Sequence, residues 1–229
     1  MISVVIPTFN AGETLGPTLA ALVPAVVNNI VQEAIVVDGG STDETVAIAE
    51  AAGTRILHTK RGRGTQLKAG AAAARGDWLL FLHADTVLEP GWAEEAESFM
   101  ERIATGRRAP AAAAFSFALD DDGLMPRLIE SLVGIRCLLF RLPYGDQGLL
   151  ISRSLYGELG GFKPIPLMED VDLVRRLKRK QLALLKTRAV TSGERYRNEG
   201  YLARALRNLC CVTLYYLRVP TRVLQRLYG

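Results

Sequence analysis

Apolar runs alternate with stretches of helical periodicity along the first third of the chain. Strands are predicted over residues 2–7, 34–38, 55–58 and 78–82. Helices are predicted between them over residues 14–27, 45–52 and 65–74, with Ser41 and Glu44 as a capping box before the second helix. This alternation predicts an α/β fold with a single, mostly parallel sheet, helices on both faces and a Rossmann-like N-terminal half.

The pattern is less regular beyond residue 87. Further helices are predicted over residues 92–103, 126–142, 155–159, 170–180 and 201–217, and further strands over 111–119, 149–151 and 182–186. The sequence contains no internal repeat and no clear linker. We expect one domain over residues 1–197, followed by a basic amphipathic helical extension over residues 198–229.

Composition agrees with a folded protein that keeps its thiols reduced. Hydrophobic residues make up 49% of the 229-residue chain and charged residues 23%, enough apolar material for a core. The three cysteines, Cys137, Cys210 and Cys211, form neither a disulfide framework nor a zinc-ligand spacing. No signal peptide and no membrane-spanning apolar run is visible, so we expect a cytoplasmic protein, with attachment to the inner face of a membrane as an option.

The small net charge of +4 hides an asymmetry. Residues 173–229 hold 14 Lys and Arg against 2 Asp and Glu, whereas residues 1–172 hold 14 against 22. A basic tail on an acidic body indicates an anionic partner, and nucleic acid, lipid headgroups and a phosphorylated substrate all qualify.

The predicted C-terminal helix separates its charges from its apolar residues. Arginines at 204, 207, 218, 222 and 226 share one side, and the opposite side carries Leu202, Leu206, Leu209, Tyr216, Leu224 and Leu227. For residues 201–217 we favour a helix packed on its own domain with the arginines in solvent. For the last turns, beyond Pro220, we favour contact with an anionic membrane, and a homodimer contact is a third alternative.

Candidate chemistry lies directly after the predicted strands. Pro7, Thr8 and Asn10 follow the first strand, Asp38 ends the second, and His83, Ala84 and Asp85 follow the strand over residues 78–82. Ligands of an open parallel sheet bind beyond the carboxyl ends of its strands, so we expect a cleft with carboxylates there. Asp38 is suited to accept hydrogen bonds from a base or ribose, or to cap the following helix, and the residue alone does not decide between them.

Three further sets complete the candidate chemistry. Asp85, with His83 beside it, suits a hard divalent cation, although a turn cap and a satisfied histidine explain the same residues. Glu169 and Asp170 open a predicted helix, where they are either helix-dipole partners or a general base, while Asp172 is expected to face solvent. Gly62, Arg63 and Lys68 stand at a helix start that is able to meet a phosphate.

Together these segments resemble family 2 glycosyltransferases, which have the GT-A fold. The resemblance covers residues 1 to about 180 and rests on segments in a fixed order: VVIPTFN at 4–10, VVDGGSTD at 36–43, GRG at 62–64, GDWLLFLHAD at 76–85, GGF at 160–162 and EDVDL at 169–173. It implies a nucleotide-binding half over about 1–86 and an acceptor half over about 87–197. It also implies an inverting transfer of a sugar from a nucleotide-diphosphate donor to a hydroxyl, lipid-linked or on a small molecule.

The resemblance assigns roles to matching positions. The nucleotide-binding set is Pro7, Thr8, Asn10, Asp38, Gly62, Arg63, Lys68 and Ala84. Asp85 corresponds to the last acid of the Asp-x-Asp motif and would bind Mg²⁺ or Mn²⁺, with His83 in place of the first acid. Asp170 would be the base, supported by Glu169. The Gln-x-x-Arg-Trp motif of processive relatives is absent, which favours one transfer per binding event. Residues 193–197 stand in roughly its place, and we favour a basic loop in solvent there over an arginine contact with the diphosphate.

Three other classes remain as alternatives. A sugar-phosphate nucleotidyltransferase would carry basic residues in the loop after the first strand, and residues 11–14 hold none. A non-catalytic nucleotide-sugar-binding module would explain His83, but the acids at 85 and 170 oppose it. Nucleic-acid binding is compatible only with the basic tail, and no recognition motif supports it, so we expect no nucleic-acid partner.

Overall fold

Eight strands form one mixed sheet within residues 1–228, which are the residues described by the computed structural model. The strands are β1 (Ile2–Thr8), β2 (Val31–Asp38), β3 (Arg55–His58), β4 (Trp78–Phe81), β5 (Thr86–Leu88), β6 (Ala112–Asp120), β7 (Leu149–Ser152) and β8 (Leu182–Ser192). Their order across the sheet is β3-β2-β1-β4-β7-β6-β8-β5.

The sheet is parallel through β3, β2, β1 and β4, and β6 is also parallel to β8. By contrast, β7 runs antiparallel to both β4 and β6, and β5 runs antiparallel to β8. The expected α/β class is therefore confirmed, but the sheet is mixed. Because β7 is reversed, the loop that precedes it lies at the same sheet edge as the end of β4.

Helices cover both faces of the sheet, as expected. They are α1 (Gly12–Ala20), α2 (Val23–Val27), α3 (Thr45–Ala51), α4 (Arg63–Ala73), α5 (Trp92–Ala104), α6 (Leu124–Phe140), α7 (Arg153–Glu158), α8 (Glu169–Val174), α9 (Glu194–Glu199), α10 (Tyr201–Tyr216) and α11 (Thr221–Tyr228). Along β1 the side chains alternate between two apolar clusters, since Val4 packs with Leu15 and Phe99 on one face and Val5 packs with Leu67 on the other.

Several predicted boundaries were wrong for tertiary reasons. The predicted helix over 14–27 is two helices, α1 and α2, and the one over 170–180 ends at Val174, after which the Arg176 side chain donates to the carbonyls of Gly161 and Asp172. Ser41 does not cap α3, which begins at Thr45; its hydroxyl instead donates to the carboxylate of Asp38. Strand β5, only three residues long, had no sequence signal.

Helix α10 packs against α6, α9 and α11, and its arginine side is turned inward, opposite to the expectation. Arg204 is only 4% exposed, while Leu202, Leu206 and Leu209 are 58–64% exposed. Arg204 is accommodated inside because its guanidinium pairs with Glu199 at 3.1 Å and lies over a tyrosine ring of α11. In α11, Leu224 was expected on the membrane-facing side but is fully buried. No helix among residues 1–228 has both the length and the apolar character needed to cross a bilayer.

Candidate active site

The carboxyl ends of the parallel strands meet at one edge of the sheet, as expected. Thr8 at the end of β1 is opposite Asp38 at the end of β2, and Asp38 is opposite His58 at the end of β3. The Leu82 amide, just past β4, donates to the Val5 carbonyl of β1. The loops that follow β1, β2 and β4 therefore line a common rim.

Asp38 is held in a fully supplied hydrogen-bond network. Its carboxylate accepts bonds from the Gly40 amide at 2.8 Å, the Ser41 amide at 2.9 Å, the Ser41 hydroxyl and the Thr8 hydroxyl at 3.2 Å. Burial raises the pKa of Asp38, but the bonds from Ser41, Gly40 and Thr8 outweigh it and hold the pKa below its ordinary value. In this geometry Asp38 supports the turn over residues 39–41, and its predicted contact with a base remains untested.

The amide side chains of Gln66 and Asn10 form hydrogen bonds that hold the loops after β1 and β2 in place. The Gln66 amide group donates to the carbonyls of Thr8 at 2.8 Å and Val37 at 2.7 Å, and the Gly62 amide donates back to its oxygen at 3.2 Å. Asn10, with a positive φ of 49°, accepts from the Thr42 amide at 2.9 Å. Gln66 was missed by sequence reasoning, because nothing local marks a helix glutamine as buried beneath two strand ends.

The loop over residues 83–85 is held through its backbone, which leaves the Asp85 carboxylate available. The Thr18 hydroxyl donates to the Ala84 carbonyl at 3.0 Å, and the Ser192 amide donates to the Asp85 carbonyl at 3.1 Å. The His83 Nδ1 atom lies 4.0 Å from Asp85 Oδ1. Burial and the positive charge of Arg63 lower the pKa of His83 to about 4, so the imidazole is neutral near pH 7.

Gly145, in the loop before β7, brings His83 and Asp170 together. Its amide donates to Asp170 Oδ2 at 2.6 Å. A Cβ atom at position 145 would stand 2.6 Å from His83 Nε2 and 3.3 Å from Asp170 Oδ2, so only glycine leaves room for both side chains. Sequence reasoning missed Gly145, and the Gly-Asp pair at 145–146 was the only local signal.

Asp146 and Glu169 each keep a buried oxygen, Oδ1 and Oε1 respectively, without a hydrogen-bond partner in residues 1–228. Desolvation raises the pKa of Asp146 to about 6. The positive charge of Arg136 opposes this rise, and the negative charge of Asp170 adds to it. Burial raises the pKa of Glu169 to about 7, again reinforced by Asp170, although Arg63 opposes it. Both groups are therefore poised to change protonation near neutral pH.

Arg63 supplies a positive charge beside Glu169 and Asp170. Its Nε atom lies 3.5 Å from Glu169 Oε1, too far for a strong hydrogen bond, and its side chain is 34% exposed. Burial lowers the pKa of Arg63, but the negative charges around it, of which Glu169 is the strongest, outweigh burial and raise the pKa above its ordinary value. Arg195, on α9, is near enough to His83 to lower the histidine pKa as well. Lys68 is exposed on α4, and its predicted phosphate contact remains a prediction.

Asp172 does not face solvent, contrary to expectation. Its carboxylate is 12% exposed and accepts from Lys163 at 3.0 Å, Arg176 at 2.8 Å and the Tyr215 hydroxyl at 3.1 Å. The residue therefore ties α8 to α10 and stands outside the candidate chemistry.

The predicted site residues thus fall into two groups. A charged half contains His83, Asp85, Glu169 and Asp170 together with Arg63, which act on one another electrostatically. A hydrogen-bonded half contains Thr8, Asn10 and Asp38 and the loop over residues 39–42.

The donor set of the charged half suits a cation that a ligand also coordinates. No group of three or more His, Cys, Asp or Glu side chains converges among the described residues. Mg²⁺ in proteins is commonly held by one or two carboxylates, with water and substrate phosphates in the other positions. Asp85 has a partly exposed carboxylate and His83 a neutral ring, so the two residues fit such an incomplete protein site.

Comparison with known proteins gives a family match and several relatives for the chain. The family model described as glycosyl transferase family 2 matches residues 3–133, more than half of the chain. Glucosyl-3-phosphoglycerate synthase of Mycolicibacterium paratuberculosis is 36% identical over 95 residues, which cover 38% of this chain and 29% of that protein. A PGL/p-HBAD biosynthesis glycosyltransferase of Mycobacterium bovis is 40% identical over 101 residues, covering 38% of this chain and 36% of the relative.

The fold is also shared with solved structures. Glucosyl-3-phosphoglycerate synthase of Mycobacterium tuberculosis, crystallised with Mn²⁺, uridine diphosphate and phosphoglyceric acid, superposes with a TM-score of 0.59 at 24% identity. The match covers 81% of this chain and 68% of that one. The GT-A architecture expected from the sequence is confirmed. The matches span about a third of the length of the curated relatives, so their activities do not transfer with the sequence match.

Proposed function

The chain belongs to glycosyl transferase family 2, and from that membership we propose that it transfers a sugar from a nucleotide-diphosphate donor to a hydroxyl group of an acceptor. The observation that carries the proposal is the charged half of the rim, where a free carboxylate, a neutral histidine and an arginine meet two acids of raised pKa. Acids with strongly raised pKa values beside a charge partner in a cleft are typical of active sites.

The donor would span the two halves of the rim. Nucleotide contacts are proposed for Pro7, Thr8, Asn10 and the loop after Asp38, where backbone groups are held at fixed positions. The diphosphate is proposed to meet Arg63, with Gly62, Lys68, Ala84 and Arg195 beside it. Arg63 is suited to this role because its ion pair with Glu169 is long, which leaves donors for phosphate oxygens.

Asp85 and His83 are proposed to hold a divalent cation. A bound Mg²⁺ or Mn²⁺ would neutralise charge on the leaving diphosphate, a Lewis-acid effect. The related synthase of known structure was crystallised with Mn²⁺ and uridine diphosphate, which makes a uridine nucleotide the first candidate donor.

Asp170 is the proposed general base. The Gly145 amide fixes one carboxylate oxygen and the Val171 amide the other, so the group has one orientation, and each oxygen keeps a lone pair. An acceptor hydroxyl delivered to this group would attack the sugar and invert the anomeric centre. Phosphoglyceric acid, bound by the related synthase, makes a small anionic acceptor the first to test.

The proposal is tested by thermal shift with uridine, guanosine, adenosine and thymidine diphosphates, each with and without Mn²⁺. One nucleotide should stabilise the protein, and only with the metal. In Asp85→Asn, Mn²⁺ should no longer increase the stabilisation by the nucleotide. Asp170→Asn should keep nucleotide binding but lose about 10²–10⁴-fold in transfer rate. A protein that responds to none of the nucleotides would instead be a module that has lost the donor site.

A membrane contact is a separate proposal, carried by the exposed leucines of α10 and by the outer face of α6, where Leu128, Leu132 and Ile135 are 47–52% exposed. Apolar side chains beside a basic tail suit an anionic bilayer surface. Flotation with anionic liposomes should be lost in Leu206→Ser/Leu209→Ser. A homodimer through the same leucines would appear in light scattering as a doubled mass that the double variant abolishes.

A further inference from the structure

A second concave site shares no lining residue with the active-site cavity, which is lined by His83, Gly145, Glu169 and Asp170 among others. Four basic side chains, Arg108, Arg141, Arg179 and Lys180, surround a cavity of about 590 Å³ whose floor is Leu182, Ala183 and Leu184; we call it the basic groove. Its floor is the start of β8, where Leu182 pairs with Ala112 at the start of β6. Leu184 is paired with Ala114, and Ala114 is linked through Leu149 of β7 to Phe81 at the end of β4. The groove floor therefore lies level with the end of β4 but three strands further along the sheet.

The basic groove lacks counter-charges of its own. No acidic residue lines it, and within residues 1–228 none of its four basic side chains forms an ion pair. The Nε atoms of Arg108 and Arg141 are buried yet have no hydrogen-bond partner in the described part of the chain. The Arg108 guanidinium lies over the Phe99 ring at 5.3 Å, a contact that orients it but accepts no conventional hydrogen bond.

Such an arrangement is unfavourable unless an anion completes it. Four like charges around one concavity repel one another, and a bound anion would relieve that repulsion. Arginine is the side chain best matched to phosphate, because its planar donors bind two oxygens at once. We propose that the basic groove binds a phosphate group, at a site distinct from the proposed donor diphosphate site.

The groove is larger than one phosphate group, so the ligand is a phosphate ester with a further part. The surroundings of Arg141 indicate what that part contacts, since Leu138, Leu139 and Phe140 directly precede it and are 56–73% exposed. The same phosphate chemistry occurs in a soluble sugar or glycerol phosphate and in a phospholipid headgroup. The apolar residues beside the groove would contact acyl chains only in the second case.

Inorganic phosphate is the probe for the shared chemistry. We compare the wild type, Arg141→Gln/Arg179→Gln and Arg75→Gln, an exposed control on another part of the surface. Phosphate should raise the melting temperature of the wild type and the control, and its midpoint should rise about tenfold or more in the double variant. Without phosphate the double variant should be at least as stable as the wild type, since its repulsion is relieved. Equal phosphate responses in all three proteins would overturn the proposal, because phosphate would then bind elsewhere, for example at Arg63.

Vesicles distinguish the two sources of phosphate. Flotation is measured with phosphatidylcholine alone and with 30% phosphatidylglycerol. Binding to the anionic vesicles that the double variant loses, and the control keeps, assigns the groove to a lipid headgroup. A phosphate response without vesicle binding assigns it to a soluble phosphate ester. If neither phosphate nor vesicle binding depends on the two arginines, the proposal is wrong. Nucleotide-diphosphate binding in the same variants reports separately on the active site and should be unchanged.

Discussion

The two halves of the active-site rim shift the pKa values of their carboxyl groups in opposite directions. In the hydrogen-bonded half, Asp38 is 1% exposed but accepts from four donors, and its pKa falls below the ordinary value. In the charged half, Glu169 is as inaccessible to solvent but is embedded more deeply in the protein and keeps an oxygen without a donor, and its pKa rises to about 7. Deeper burial raises the pKa of Glu169, whereas hydrogen-bond donors hold the pKa of Asp38 down, so depth and donor supply together set the difference.

The difference distinguishes carboxyl groups that hold a loop in place from those that are free to take part in a reaction. A carboxylate whose acceptor sites are filled holds a loop in place and has little capacity left for a ligand. A carboxyl group with an unused oxygen can exchange a proton or take up a new donor. This contrast predicts where substitutions should reduce activity and where they should reduce stability.

Gly145→Ala should have the largest effect on activity. The added methyl would clash with His83 Nε2 at 2.6 Å and crowd Asp170, displacing groups in the charged half by a fraction of an ångström to an ångström. Such displacement costs about 10²-fold in turnover. Steady-state kinetics with the donor nucleotide selected by the thermal-shift experiment would measure the loss of turnover. Gly16→Ala is the matched control, since nothing lies within 4 Å of its added methyl, and it should retain full activity. Equal turnover in the two variants would contradict the crowded geometry.

Asp38→Asn should reduce stability, by about 1–3 kcal/mol, because an amide group would face donors where the carboxylate now accepts. The stability that Asp38 contributes is present above its unfolded pKa of 3.8 and is lost as pH falls through the lower folded pKa. Urea unfolding at several pH values measures both effects.

Asp146, which experiences the charges of Asp170, Asp85 and Arg63, allows the same stability test in the charged half with Asp146→Asn. Its raised pKa of about 6 means that ionisation opposes folding, so at pH 7 the variant should unfold at the same urea concentration as the wild type or a higher one. If Asp146→Asn were as destabilising as Asp38→Asn, the two halves would not differ as described.

Glu169→Gln should alter the pH dependence of stability by roughly 1–3 kcal/mol. The folded state holds a proton up to about pH 7 that the unfolded state releases near 4.5, so wild-type stability should fall as pH rises through that window. The variant should lack this fall. Melting temperatures from pH 4 to 8 measure the difference, and parallel curves for the two proteins would show that Glu169 ionises normally.

The smallest expected effect is spectroscopic. The His83 imidazole should remain neutral down to about pH 5 and titrate with a midpoint of about 4, because burial and Arg63 disfavour its charged form. Nitrogen chemical shifts of a histidine-labelled sample report this directly, with His83→Gln to assign the resonance. A midpoint near 6.5 would mean that the ring is solvated and distant from Arg63.

The candidate acids of both halves at the ends of the first strands could be predicted from the sequence, but two residues of the charged half could not. Strands β1, β2, β3 and β4 are short apolar runs that end in polar residues, so Thr8, Asp38 and Asp85 were expected at one edge before any coordinates. Gly145 and Asp146 were not expected there, because they reach the site only through the reversal of β7. The exposed leucines of α10 were also unexpected, since a helical wheel shows two faces but not which one the domain covers.

The sequence by itself determined the fold class, the family and the candidate acids, because period, strand ends and motif order are local properties of a chain. Only the tertiary structure decided how those acids behave. The pKa of Glu169 depends on burial by distant segments, and that of Asp38 on donors from the turn and from β1. The grouping of Arg108, Arg141, Arg179 and Lys180 around one cavity likewise exists only after folding, because charges separated along the chain acquire a shared environment only when packing brings them together.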